Sequence, residues 1–265
     1  MSTNTVPHVT DRQRFCHLRQ LGLELNRFFD VGASSGCWSQ KMSQAFPNAT
    51  FELFEPLVDY VPDYRQRMAE VLAESPRFHL HKVALGAECR TTMMHIPSKA
   101  FGSTALEMGA GVPADWRSLK VEMLTIDHVI QEFRLPAPQA IKIDTQGCEL
   151  NILQGARETL PEVSVLLLEC WLTRSYGPKT PLLSELTQWL TAFDFYLWDL
   201  GDEFRDPRGI LVSQDCFFVN ARSPISRLSA ELSRAEPADP ESAKVVSSKG
   251  RSSSPSVQAL LETTP

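Results

Sequence analysis

The sequence predicts an α/β fold: a three-layer sandwich with helices on both faces of a mostly parallel, seven-stranded sheet. Three observations carry this. Strand-like and helix-like segments alternate from about residue 11 to about residue 221, the rhythm of crossover units. Two segments, Ala140-Ile141 and Val165-Leu166-Leu167-Leu168, are continuously apolar, as central strands buried on both sides must be. A glycine-containing turn, Asp30-Val31-Gly32-Ala33-Ser34-Ser35-Gly36, joins an apolar strand to a helix, and ligands of such sheets sit beyond the carboxyl ends of the strands.

The elements follow in order. Phe15, Leu18 and Leu21 recur at helical spacing and predict a helix over about residues 11–22. Arg27 to Val31 reads as the first strand and Thr50 to Glu55 as the second. Phe78 to Val83, Ala140 to Asp144, Val163 to Glu169, Phe195 to Leu200 and Cys216 to Asn220 supply the other five. Helices fit at about 36–46, 59–73, 148–159 and 181–192, and His128 follows Asp127 at a helix start. The stretch from about 90 to 125 breaks the rhythm. Its two short strand-like runs, Thr91 to Ile96 and Leu119 to Met123, predict a hairpin-like insertion over the sheet's edge or its ligand-binding face.

Composition narrows the function classes. Hydrophobic residues make up 43% of 265, enough for one α/β core. The formal net charge of -6 argues against a protein held mainly by nucleic-acid phosphates. No run of about 18 apolar residues occurs, so no membrane-spanning helix is expected. The first eleven residues are polar and lack the apolar stretch of a secretory signal; the expected location is the cytoplasm. Cys16, Cys37, Cys89, Cys148, Cys170 and Cys216 are scattered with no C-x-x-C pair, which reads as reduced thiols rather than a zinc site or disulfide framework. From Ala221 onward there is no aromatic residue, and serine, proline and charge dominate. The expected organisation is a flexible start over 1–10, a domain over 11–221, and a disordered tail over 222–265.

Three motifs could carry chemistry. In the first, glycines Gly32 and Gly36 permit a tight turn and a close backbone approach. The spacing is G-x-x-x-G, not the G-x-G-x-x-G of a dinucleotide fold. Asp30 before it suits the positively charged amino-acid end of a cofactor, directly or through water, and suits a pyrophosphate poorly. A plain strand-to-helix turn has the same pattern. In the second, Phe54-Glu55-Pro56, Glu55 lies 25 residues after Asp30, where an acidic side chain binds ribose hydroxyls. In the third, Lys142, Asp144 and Glu149 surround a strand end and the turn at Gly147. Lys142 and Asp144 share a face because strand side chains alternate. Such a Lys–carboxylate pair can also serve structure alone.

Together these motifs resemble the FkbM family of methyltransferases: Asp-Val-Gly-Ala-x-x-Gly from Asp30, Phe-Glu-Pro from Phe54, and Lys-x-Asp-x-x-Gly-x-Glu-x-x-x-Leu-x-Gly-Ala from Lys142. Val83-Ala84-Leu85-Gly86, Gly102-Ser103, Leu124-Thr125-Ile126-Asp127 and Leu168-Glu169 follow the family's order, and the resemblance covers about residues 11–221. It implies a class I, Rossmann-like methyltransferase fold, the cofactor S-adenosyl-L-methionine, and O-methylation of a small molecule or glycan. Asp30, Gly32, Ala33, Ser34, Gly36, Glu55, Pro56, Val83, Ala84 and Ser103 are then the cofactor-binding candidates. Asp144, Glu149 and Glu169 are the catalytic ones, in that order, because a hydroxyl acceptor must lose a proton. Ser34 stands where the family often has Asn, and Gln146 where it often has Glu.

His79, His81, His95 and His128 show no metal-ligand spacing and read as structural. Core packing is the default for Trp38 and Trp171. The segment from Trp171 to Thr180 and the insertion should shape the acceptor pocket. A nicotinamide-dependent oxidoreductase shares the fold type but is disfavoured by the missing dinucleotide motif. A non-catalytic cofactor-binding or scaffolding module is the reading from another class.

Overall fold

The computed structural model describes residues 9–98, 102–107 and 111–225. Helix α1 (Asp11–Gln20) is capped by Thr10, whose hydroxyl accepts from Gln13 N while the Gln13 side chain reaches back, satisfying first-turn amides reciprocally. Strand β1 (Arg27–Val31), helix α2 (Cys37–Ala45), strand β2 (Thr50–Phe54), helix α3 (Pro62–Glu74) and strand β3 (Phe78–His81) form the first half of the domain. Helix α4 (Ile126–Glu132), strand β7 (Ala140–Ile143), helix α5 (Glu149–Gln154), strand β8 (Val165–Trp171), helix α6 (Leu183–Thr191), strand β9 (Phe195–Arg205) and strand β10 (Leu211–Asn220) form the second. Between the halves lie β4 (Ala84–Leu85), β5 (Arg90–Ile96) and β6 (Arg117–Leu124).

The seven-stranded sheet runs β3-β2-β1-β7-β8-β10-β9. Its first five strands are parallel; β10 is antiparallel to both β8 and β9. Period-2 alternation divides the core. Phe29, Val31, Ile141, Ile143, Leu166 and Leu168 face one side and pack with Ile126, Val129, Ile152, Leu153, Leu186 and Leu190 of α4, α5 and α6. Phe28, Phe51, Leu53, Ala140, Val165 and Leu167 face the other, against Phe15, Leu18, Met42, Met68 and Val71 of α1, α2 and α3. The predicted three-layer sandwich is the observed fold. Chain order reverses between β1 and β7, so their carboxyl ends open the crevice where ligands of such sheets bind.

The insertion is more than a hairpin. β5 and β6 are antiparallel, and β4 adds to β6 in parallel to make a second, three-stranded sheet. This explains why the third strand stops at His81 rather than Val83: the chain leaves the main sheet to form β4. The small sheet packs Met94, Ile96, Val121 and Met123 on Leu57 and Val61, over the crevice end of β2.

Other boundaries differ for physical reasons. Helix α5 stops at Gln154, and its C-cap Gly155 packs so closely that a Cβ would lie 2.1 Å from the Gly86 carbonyl oxygen. The β9–β10 hairpin extends through Arg205 and Leu211, where Glu203, Phe204 and Ile210 are exposed and leave no burial pattern to read. The domain continues past 221, since Ile225 is buried against the face carrying α1. The predicted flexible start and tail fall, apart from residues 9–10 and 222–225, outside the described residues.

Candidate active site

The turn after β1 needs its glycine. Gly32 has φ +74° and lies so close to β7 that a Cβ would sit 2.0 Å from the Asp144 carbonyl, a clash that no side chain relieves. Ser34 (φ +52°) and Gly36 (φ +76°) complete a left-handed path into α2. The Glu55 carboxylate, just past β2, stitches this turn down: Oε2 accepts from Ser34 N at 2.8 Å and Oε1 from Leu57 N at 2.9 Å. Burial pushes the Glu55 carboxyl above its usual range, and the two amide bonds oppose that rise.

A pocket opens beside it at the carboxyl ends of β1, β2 and β7. Gly32, Ser34, Glu55, Pro56, Val83, Ala84 and Ser103 line it, together with Leu57, Leu85, Asp144 and Thr145. Seven of the ten cofactor-binding candidates thus line one pocket. The other three lie elsewhere. Ala33 packs into the core, and Gly36 is the N-cap of α2. Asp30 is fully buried, with Oδ1 3.0 Å from Lys142 Nζ and Oδ2 accepting from Ser39 Oγ at 2.7 Å. Its charge is already matched by Lys142, and it does not reach the pocket.

The pocket's chemistry fits S-adenosyl-L-methionine. Apolar Pro56, Leu57, Val83, Ala84 and Leu85 suit an adenine ring, and buried Glu55 suits ribose hydroxyls. Among the described lining residues there is no lysine or arginine.

The catalytic candidates cluster but are not equivalent. Asp144 lines the pocket, and its side chain keeps 45% of its exposure. It sits 3.7 Å from Lys142 Nζ. Glu149 is fully buried; Oε1 accepts from Thr145 N and Gly147 N, each at 3.1 Å, while Oε2 has no partner among the described residues. Burial raises its carboxyl to about 7. Glu169, at the end of β8, accepts from Ser213 Oγ at 3.1 Å; burial and then the Asp144 and Glu149 charges hold its carboxyl well above the usual range. Neither Glu149 nor Glu169 lines the pocket. The mixture of one accessible carboxylate and two with raised affinity for protons is what environments at functional sites produce.

Sequence reasoning missed Tyr64, Met94 and Tyr176, and noted Gln146 only as a departure from the family pattern. Tyr64 and Met94 reach the pocket from α3 and β5, and no local pattern marks them. His79 and His81 both bond to the buried Glu52 carboxylate, at 3.1 and 2.9 Å, a structural cluster away from the pocket. Trp38 donates to Asp11 Oδ2 at 3.2 Å, and Trp171 meets Tyr176 edge-on at 5.1 Å. Among the described residues, no group of three His, Cys, Asp or Glu side chains could hold a metal ion. No described helix is long and apolar enough to cross a membrane.

The family described as Methyltransferase FkbM domain matches residues 30–197. No curated protein matches. Among solved structures, an FkbM methyltransferase from Methylobacillus flagellatus KT is similar at 20% identity over 75% of this chain and 46% of that one, with TM-score 0.48. The chain therefore spans about half the length of that protein. Magnesium protoporphyrin IX methyltransferase from Synechocystis PCC 6803, solved with bound S-adenosylmethionine, is similar at 14% identity over 82% and 86% of the two chains, TM-score 0.44. The O-methyltransferase TomG from Streptomyces achromogenes gives 11% identity, 80% and 81% coverage, and TM-score 0.43.

Proposed function

The chain belongs to the FkbM methyltransferase family, and from that premise we propose that it transfers the methyl group of S-adenosyl-L-methionine to a hydroxyl of a small molecule or glycan. The observation that carries the reading is the convergence of Glu55 and Asp144 on one pocket. When bound, the cofactor supplies a methyl group on a positively charged sulfur, with a neutral thioether as leaving group. Gly32, Ser34 and Glu55 hold it at one end; Pro56, Val83, Ala84 and Ser103 wall it in. Asp30 and Lys142 support the turn from below.

The protein's task is alignment, which can contribute on the order of 7–11 kcal/mol, and proton removal from the acceptor. Asp144 is the base. It alone of the three carboxylates is open to the pocket, whereas Glu149 fastens the turn from Thr145 to Gly147 and Glu169 lies behind. The small sheet of β4, β5 and β6 and the loop from Trp171 to Thr180 shape the acceptor side. The test is tritiated-methyl transfer to a panel of hydroxyl and amine compounds: label on a hydroxyl oxygen supports the reading, and label confined to amines overturns it.

A further inference from the structure

Gln146 occupies the centre of the carboxylate cluster. Its Nε2 donates to Asp144 Oδ1 at 2.9 Å and to Glu169 Oε2 at 2.8 Å. Its Oε1 accepts from the Tyr176 hydroxyl at 2.5 Å. Its backbone carbonyl accepts from Thr104 Oγ1 at 2.8 Å. A primary amide has two N–H donors and an acceptor oxygen with two lone pairs, so both donors and one lone pair are used. The reverse amide orientation would set a carbonyl oxygen against the Asp144 carboxylate. The backbone turns left-handed here, with φ +58°, a conformation that glutamine adopts at a cost.

We infer that Gln146 and Tyr176 are positioning residues for methyl transfer: the Tyr176 hydroxyl orients the Gln146 amide, and the amide aims the Asp144 carboxylate by tying it to Glu169. This rests on the reading of Asp144 as the base. Tyr176 is a dependable donor, because burial and then the Glu169, Glu149 and Asp144 charges keep its hydroxyl protonated. Ser213 fixes the far oxygen of Glu169 at 3.1 Å, so Glu169 is an anchored post. Thr104 brings in the insertion: its hydroxyl holds the Gln146 carbonyl and also accepts from Leu106 N at 3.0 Å. A Cβ on Gly102 would meet the Tyr176 hydroxyl oxygen at 3.2 Å. The base is therefore set by three separate pieces of chain: the turn after β7, the loop after β8, and the segment between β5 and β6. The other charged groups around it are Lys142 on β7, Glu149 on α5 and Asp215 on β10.

The test is a carbon-13 carboxyl NMR titration of the full chain, wild type against Gln146→Met, Gln146→Glu and Tyr176→Phe, with calorimetry of S-adenosylhomocysteine on each. Donated hydrogen bonds favour a carboxylate's charged form. Gln146→Met should raise the Asp144 and Glu169 midpoints by about half a pH unit or more, with Glu52 unmoved. Gln146→Glu keeps the shape but replaces the donor with a like charge, and should raise them further. Tyr176→Phe should move them the same way by less, and it serves alone if the Gln146 variants do not fold. A structural role only would lower the melting temperature and leave the midpoints in place. Unchanged or lowered midpoints overturn the inference. If wild type does not bind S-adenosylhomocysteine while the midpoints move as stated, the bridge stands and the methyl-transfer reading fails.

Discussion

Lys142 Nζ lies 3.0 Å from Asp30 Oδ1, across the junction of β7 and β1, with Asp144 Oδ2 a second partner at 3.7 Å. The register places Asp30 directly beside Lys142. Coulombic attraction from Asp30 and then Asp144 outweighs the burial that would discharge the lysine, so it stays charged. The pair joins the two strands between which the crevice opens, so damage to it should appear first in stability. Removing one partner of a buried pair costs about 3–5 kcal/mol. Asp30→Ala is expected to cost about 3 kcal/mol, since Asp144 remains as a weaker partner. The double variant Asp30→Leu/Lys142→Met should recover more than half of that loss. Urea unfolding of both checks it; a double variant as unstable as the single one would show that the charges are not the cause.

Glu149 makes stability fall with rising pH. Burial raises its folded carboxyl to about 7 from an ordinary 4.5. Between those values the folded chain holds a proton that the unfolded chain has released, so stability declines across the window as pH rises, by about 3 kcal/mol at full extent. Asp215, raised to about 7 by burial and then by Asp11 and Asp144, acts in the same direction. Glu149→Gln keeps an acceptor for the Thr145 and Gly147 amides and removes the titration. Its unfolding free energy should change less between pH 5 and pH 8 than that of wild type. Equal slopes would place Glu149 outside this linkage.

Asp144→Asn separates chemistry from structure. Asparagine retains an oxygen for the Gln146 amide, and Lys142 retains Asp30. The melting temperature and S-adenosylhomocysteine affinity should stay near those of wild type. Methyl transfer to a hydroxyl acceptor should slow by about 10²–10⁴. Near-normal turnover would remove Asp144 as the base and bring Glu149 and Glu169 forward.

The fold was legible because parallel central strands leave long apolar runs and helices leave a different period. Ala140-Ile141 and Val165 to Leu168 identified β7 and β8 to within a few residues. β4 was not legible: two residues cannot show alternation. The outer end of β9 was not, since Asp202 to Arg205 are exposed on both faces. In the site, the spacing from Asp30 singles out Glu55, which lines the pocket. Asp30 is not among the residues that line it. An acidic residue before a glycine turn looks the same in sequence whether it faces a ligand or a lysine, and only the register of β1 on β7 decides. Gln146 was invisible as a bridge, because its bonds depend on a left-handed turn and on Tyr176, far along the chain.

We propose that Glu55 and the turn it fastens hold a methyl donor's adenosine, not a dinucleotide. Titration calorimetry of the full chain tests it without any knowledge of the acceptor. Wild type should bind S-adenosylhomocysteine and ignore NAD. Glu55→Ala should weaken binding about tenfold or more, since a hydrogen bond to a charged group is worth roughly 1.5–3 kcal/mol. Binding of NAD in place of S-adenosylhomocysteine, or an unchanged Kd in a folded Glu55→Ala chain, would contradict the account.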